Sequence, residues 1–278
     1  MRGSTITLEE YPVEEAVRLF HEAGFDSLEM WKHHLKRART AEIRGKFAAF
    51  AQEYGVSMGG FNAVGEDYFR PFETETHLRQ TIDGIKADTD FAIALGTRDV
   101  LLWEGRAPER TSETEWLDRL LPRSIEMFQD VIAYGKPLGI RYLVEPHPFT
   151  VGMSDKFLTR LCDSLDESHF GVTYDFCHYG VGRSNEYIAA VHNLGDCIKH
   201  LHFSDSDQQS SELHFPPGHG RMDIQGILGA FKEIGYNGTA TLDLYGYPTP
   251  LRFLRESCKL LKEACDFLEI EESAAAAP

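Results

Sequence analysis

Two stretches far apart in the chain follow one template. Residues 20–26, FHEAGFD, match residues 231–237, FKEIGYN, position by position in residue type. Each closes a segment with apolar residues at helical spacing and opens a β-rich run, SLEMW at 27–31 and TATLDLY at 239–245. The shared glycine suits a helix end, because the left-handed conformation that stops a helix is cheapest without a Cβ. Weaker versions place a glycine before the β-rich runs at 53–61, 94–103, 137–145 and 169–175. STITL at 4–8 and CIKHLHFSD at 197–205 complete a set of eight short strands. Helical patterns fill most of the gaps, at 13–23, 40–54, 76–95, 115–137, 154–164, 185–194 and 223–235.

Strands alternating with helices predict a parallel sheet. Eight such units in a chain of 278 residues predict a closed (β/α)8 TIM barrel rather than an open sheet. No GxGxxG follows the first strand and no Walker motif occurs, which removes support from the doubly wound nucleotide binders. A single domain is expected over residues 1–270, with EESAAAAP at 271–278 as a disordered tail.

The 44 acidic and 28 basic residues leave a net charge of −16, which repels phosphate backbones and argues against nucleic acid as a partner. No apolar run approaches the roughly 18 residues that span a bilayer. The N-terminal MRGSTITLEEYP lacks the apolar centre of a signal peptide. Five cysteines without a CxxC pair read as reduced thiols, so a cytoplasmic location without membrane attachment is expected. Homo-oligomers or a partner subunit are left open.

In RYLVEPHPFT (141–150) an apolar strand runs into Glu145, and two prolines forbid its continuation as helix or sheet. Barrels of this class do their chemistry at the C-terminal ends of the strands. Strand 5 ends at Glu145, strand 6 at Asp175, strand 7 carries His200 and His202 followed by Asp205, and strand 8 carries Asp243. Period 2 puts both histidines on one face, with His202 nearer the mouth. Carboxylates this close repel unless a cation sits between them. Three oxygens and one imidazole describe a divalent-metal site for one ion, with Mn²⁺ first and Mg²⁺, Co²⁺ or Zn²⁺ as alternatives. His200 reads as a barrel-interior histidine with its hydrogen bonds met. Lys32, His33 and His34 read as a solvated helix start.

The motifs VEPHP, YDFCH, KHLHFSD and PPGHGRMDIQGILGAFKEIGYNGTATLDLY together resemble the xylose isomerase-like TIM barrels. That superfamily includes sugar phosphate isomerases/epimerases, ketose 3-epimerases, inosose dehydratases and isomerases, and endonuclease IV. The resemblance implies Glu145, Asp175, His202 and Asp243 as metal ligands and His178 as a substrate contact. Two positions depart from it. Asp243 stands where the epimerases carry Glu, and Gln208 where ketose 3-epimerases carry Arg, a role Arg221 could fill. His147 and His219, the latter in the Gly-rich PPGHGR, are further substrate-contact candidates. Trp31, Phe61 and Trp103 end strands 2, 3 and 4 and could form the apolar wall of a ring-binding pocket.

A metal on a ketone and its neighbouring hydroxyl acidifies the adjacent C–H and stabilises an enediolate. Glu145 and Asp243, on opposite sides, are the candidates to take and return the proton. The expected activity is a metal-dependent isomerase or epimerase on a sugar or keto-sugar. The alternative is a lyase on a keto-sugar, inosose or 3-keto-glycoside that expels water or an aglycone. An endonuclease IV-type phosphodiesterase ranks last, because strands 3 and 4 end without histidine. A non-catalytic sugar-binding subunit is opposed by intact ligands on four strands.

Overall fold

The repeated glycines end their helices in the same way. Gly24 (φ 107°) follows helix α1 (Val13–Ala23), and Gly235 (φ 68°) follows α7 (Ile224–Glu233) one residue later. The Gly24 and Phe25 N–H groups donate to the His21 and Phe20 carbonyls. Those of Gly235 and Tyr236 donate to Lys232 and Phe231. Both chains then turn into a strand. The structure, a computed structural model, describes residues 1–35, 47, 50–65 and 70–270.

Eight parallel strands close into a barrel in chain order: β1 (Arg2–Ser4), β2 (Ser27–Trp31), β3 (Ser57–Asn62), β4 (Asp99–Leu102), β5 (Arg141–Val144), β6 (Phe170–Asp175), β7 (Ile198–Phe203) and β8 (Thr239–Leu242), with β8 pairing back to β1. Between the helices already named lie α2 (Glu75–Leu95), α3 (Leu121–Gly135), α4 (Asp155–Asp163), α5 (Phe176–Gly182) and α6 (Tyr187–Leu194). Helix α8 (Pro250–Leu268) closes the ring. The short α5 and the terminal α8 are not among the expected helical patterns. Of the pattern at 40–54, residues 47 and 50–53 are helical; the rest, like the expected tail at 271–278, lies mostly outside the described residues. Among the described residues no helix is long and apolar enough to cross a membrane.

The first strand corrects the expectation of 4–8. It occupies Arg2–Ser4, and Thr5–Leu8 form a 3-10 turn. Alternation in TITL imitates a strand, but its threonines work as side-chain acceptors. Thr5 Oγ1 takes the Trp31 N–H (2.8 Å) and Thr7 Oγ1 the Leu244 N–H (3.0 Å), so hydroxyls serve neighbouring strand ends where a sheet ladder would have continued.

Side chains alternate across the barrel wall. Leu28, Met30, Val172, Tyr174, Leu201 and Leu242 join the apolar layer under the helices, each fully buried side chain worth roughly 1.5–3 kcal/mol. Glu29, Thr173, Asp175, His200, His202 and Thr241 are buried polar residues on the other face, so the axis of this barrel is polar toward its mouth. At the opposite end, Asp99 at the start of β4 binds Arg2 of β1 (2.8 Å) and Arg141 of β5 (2.9 Å).

Candidate metal centre

The strand-end residues meet. The Glu145 N–H donates to the Leu102 carbonyl (2.8 Å), which extends the β4–β5 ladder by one residue and turns the carboxylate inward. After Pro146, the His147 N–H donates to Thr150 Oγ1 and the Thr150 N–H returns to the His147 carbonyl, a tight turn that folds His147 back over the mouth. Asp175 does two things at once. Its Oδ1 caps α5 by accepting the His178 N–H (2.7 Å), and its Oδ2 faces the axis. Asp243 follows β8, its N–H on the Phe203 carbonyl (3.2 Å).

Around one point, His202 Nδ1 lies 2.5 Å from Glu145 Oε1, 3.5 Å from Asp175 Oδ2 and 4.0 Å from Asp243 Oδ2. Donors about 2.1 Å from one ion stand ~3.0 Å apart at right angles and ~4.2 Å apart when opposite, so the Asp175 and Asp243 separations fit donors of a shared cation, while Glu145 Oε1 stands nearer, at hydrogen-bond length. Two buried atoms at the centre, His202 Nδ1 and Asp175 Oδ2, make no hydrogen bond of good geometry, although Glu145 Oε1 touches the first. Such atoms are rare in a folded protein, and a metal ion is one group that would satisfy both. The electrostatics agree. Burial pushes the Glu145 carboxyl up to about 7, with Asp175 and Asp243 adding to it against the pull of His202. Burial favours a neutral His202, yet Glu145, Glu29 and Asp243 draw it well above its usual range. The cluster thus favours positive charge, which a protonated His202 or a divalent ion would supply.

Glu29 prepares that nitrogen. Its Oε1 accepts His202 Nε2–H (3.0 Å), so the ring's lone pair is left on Nδ1. Its Oε2 lies 3.1 Å from His200 Nε2, whose Nδ1 pairs with Thr239 Oγ1 (2.7 Å), so His200 is a satisfied interior residue. Sequence reasoning missed Glu29. The available signal was a carboxylate between Leu28 and Met30 in the middle of a buried strand. It also missed His214, whose Nδ1 lies 2.9 Å from Asp243 Oδ2; nothing in the surrounding loop sequence marks it.

Over the centre stands a wall of rings. His147 packs on Phe149 (centroids 3.7 Å), His178 (4.3 Å) and Trp103 (5.5 Å). His147 Nε2 pairs with Glu212 (3.0 Å), and the Nδ1 atoms of His147 and His178 are buried without a hydrogen-bond partner. Burial pushes His178 down to about 3 against the pull of Asp175, which leaves a neutral ring able to meet a hydroxyl. Phe61 instead packs on Phe91 of α2, and Trp31 on His33.

The sequence model of the family described as xylose isomerase-like TIM barrel matches residues 17–269. The chain belongs to this family. Among xylose isomerase-like relatives, the fructoselysine 3-epimerase of Shigella flexneri is 25% identical over 253 residues, 84% of this chain and 85% of that protein. The crystal structure of a D-tagatose 3-epimerase-like protein has a TM-score of 0.77 at 21% identity, over 96% of this chain and 97% of that one. That of IOLI protein with a binding zinc atom has a TM-score of 0.76 at 19% identity, over 98% and 99%. These two structures share the xylose isomerase-like fold.

Two residues expected at the site are not brought to it. The Asp205 carboxylate accepts the N–H groups of Ser206, Gly218, Gly220 and Met222, all within 2.8–3.0 Å, and so curls the PPGHGR loop around itself. His219 is left exposed against Phe253, and Arg221 is exposed with its N–H on the Ser206 carbonyl. Gln208 reaches toward the Ser184 carbonyl (3.4 Å). Lys32 is not solvated as expected. It is buried on Asp88 (2.8 Å).

Proposed function

We propose that this protein is a divalent-metal-dependent isomerase or epimerase of a keto-sugar, working through an enediolate. One observation carries the reading: His202 Nδ1 and Asp175 Oδ2 are buried amid three carboxylates without a well-formed hydrogen bond. A cation held by Glu145, Asp175, His202 and Asp243 would polarise a ketone and acidify the neighbouring C–H. Three carboxylates and one imidazole suit Mn²⁺ or Mg²⁺. Glu145 from β5 and Asp243 from β8 act on the two faces, one taking the proton and the other returning it. The free Nδ1 atoms of His178 and His147 hold substrate hydroxyls, and Trp103 with Phe149 packs against the apolar face of the sugar. The epimerase among the relatives supports the same class of reaction. The free state of all five cysteines agrees with a cytoplasmic setting.

Incubation in D₂O with candidate ketoses should place deuterium next to the carbonyl, and Glu145→Gln should abolish this exchange with metal retained. Elemental analysis of His202→Ala should show the metal lost. A fully active Glu145→Gln protein, or unchanged metal content in His202→Ala, would sink the scheme. Loss of water or of an aglycone in the product would assign the lyase outcome instead.

A further inference from the structure

His214 belongs to no strand, yet its loop is tied to the strand ends on both sides. Its N–H donates to the Tyr245 carbonyl (2.8 Å), and the neighbouring Phe215 exchanges both main-chain hydrogen bonds with Asp205 (2.8 and 2.9 Å). The buried Cys177 thiol lies 3.4 Å from the Ser210 carbonyl and 3.5 Å from that of Leu213. On the far side the Glu212 carbonyl rests against Gly246, whose φ of 66° and missing Cβ allow the approach. These contacts hold the loop against the barrel and bury His214 to 3% exposure.

The ring's orientation repeats that of His202. His214 Nε2 lies 3.2 Å from the Ser211 carbonyl, which can only accept, so Nε2 carries a proton. Nδ1 then faces Asp243 Oδ2 at 2.9 Å and Asp175 Oδ2 at 3.8 Å. The same two oxygens lie 4.0 and 3.5 Å from His202 Nδ1. Nδ1 also has the Asp243 main-chain carbonyl at 3.3 Å, an acceptor like the carboxylate, so the ring offers a proton on this side too and a bound cation would displace it. Both separations to the carboxylates fall near those of donors sharing one ion, ~3.0 Å at right angles and ~4.2 Å opposite.

We propose that His214 is a fifth protein donor to the cation of this centre, and that the second imidazole sets its choice of metal. The proposal rests on the reading of the cluster as a cation site. Imidazole nitrogen favours Zn²⁺ and Co²⁺ far more than Mg²⁺. A set of three carboxylates and two imidazoles therefore shifts selection away from Mg²⁺, toward the borderline metals.

The test reads the ring nitrogens directly. A long-range ¹H–¹⁵N correlation spectrum of the Zn²⁺-loaded wild type should show two histidines with Nδ1 moved to the metal-bound position, and His214→Asn should remove one. Titration calorimetry on the apo-protein adds a second readout. His214→Asn should weaken Zn²⁺ by about tenfold or more while changing Mg²⁺ by less than about threefold. A wild-type spectrum with one metal-bound ring, or equal weakening for both metals, would show that His214 only steadies Asp243 and would overturn the proposal. The wild-type spectrum decides even if the variant fails to fold. Zn²⁺ that does not bind the wild type at all would sink the cation site itself, a separate failure.

Discussion

Glu29→Gln keeps the shape of a fully buried side chain and removes one negative charge from the barrel axis. Oε1 accepts from His202 Nε2 (3.0 Å) and the Asn62 amide (3.3 Å), while Oε2 accepts from the Thr241 hydroxyl (3.2 Å) and faces His200 Nε2 (3.1 Å). An amide offers one accepting and one donating end. With its oxygen on His202, its NH₂ faces the Thr241 oxygen and His200; that ring answers by carrying its proton on Nδ1, 2.7 Å from Thr239 Oγ1, and its Nε2, 3.0 Å from Thr241 Oγ1, accepts from the Thr241 hydroxyl. The hydrogen bonds are remade and the fold should persist. The loss is the carboxylate behind His202, which makes Nδ1 a stronger donor. Removing such a partner costs about 10- to 100-fold in metal affinity, which is about 1.4–2.8 kcal/mol. Calorimetric titration of the apo-protein with Mn²⁺ and Zn²⁺ measures this, beside thermal melts in chelator. Wild-type affinity in E29Q would refute the view that Glu29 prepares His202. A collapsed melt would refute the remade network.

Asp99→Ala leaves Arg2 and Arg141 without their shared carboxylate at the bottom of the barrel, and the Arg2 side chain is only 9% exposed. Breaking a buried pair in this way should cost about 3–5 kcal/mol in urea unfolding, and a loss below about 1 kcal/mol would contradict it. Glu104 is fully buried, and its carboxyl is pushed by burial from 4.5 up to about 7. The folded chain holds the proton where the unfolded chain has released it, so this stability is complete below pH 4.5 and lost as pH rises through 7, about 3 kcal/mol in all. E104Q keeps an acceptor for the Gly152 N–H, 2.6 Å from Oε1 in the native carboxyl. It should flatten the decline between pH 5 and 7.5; an unfolding profile that tracks wild type would mean that the native carboxyl is ionised there.

Local chemistry made much of the barrel legible. Gly24 and Gly235 announce helix ends because few residues accept a positive φ. Glu145 and Asp175 stand at strand termini, where apolar runs meet turn residues and a carboxylate is conspicuous. Prolines at 146 and 148 told where β5 stops because they cannot join a ladder. The same local logic misplaced β1, since Thr5 and Thr7 look like strand residues whether they pair through the backbone or accept through the hydroxyl. It also left His219 and Arg221 as candidates, because a Gly-rich loop does not reveal that Asp205 will gather its amides and turn it outward.

By itself the sequence determined the alternation of strand and helix and named four candidate donors at strand ends, all from residues within a few positions of one another. Only the closed barrel decided what those donors would meet. Glu29 is 173 positions from His202 and 171 from His200, and it reaches both because β2 lies across the axis from β7. His214 reaches Asp243 because a loop after β7 is tied to Tyr245 after β8. Hydrogen bonds and coordination act over about 3 Å, so groups separated by that much of the chain can be matched only after the fold has brought them together.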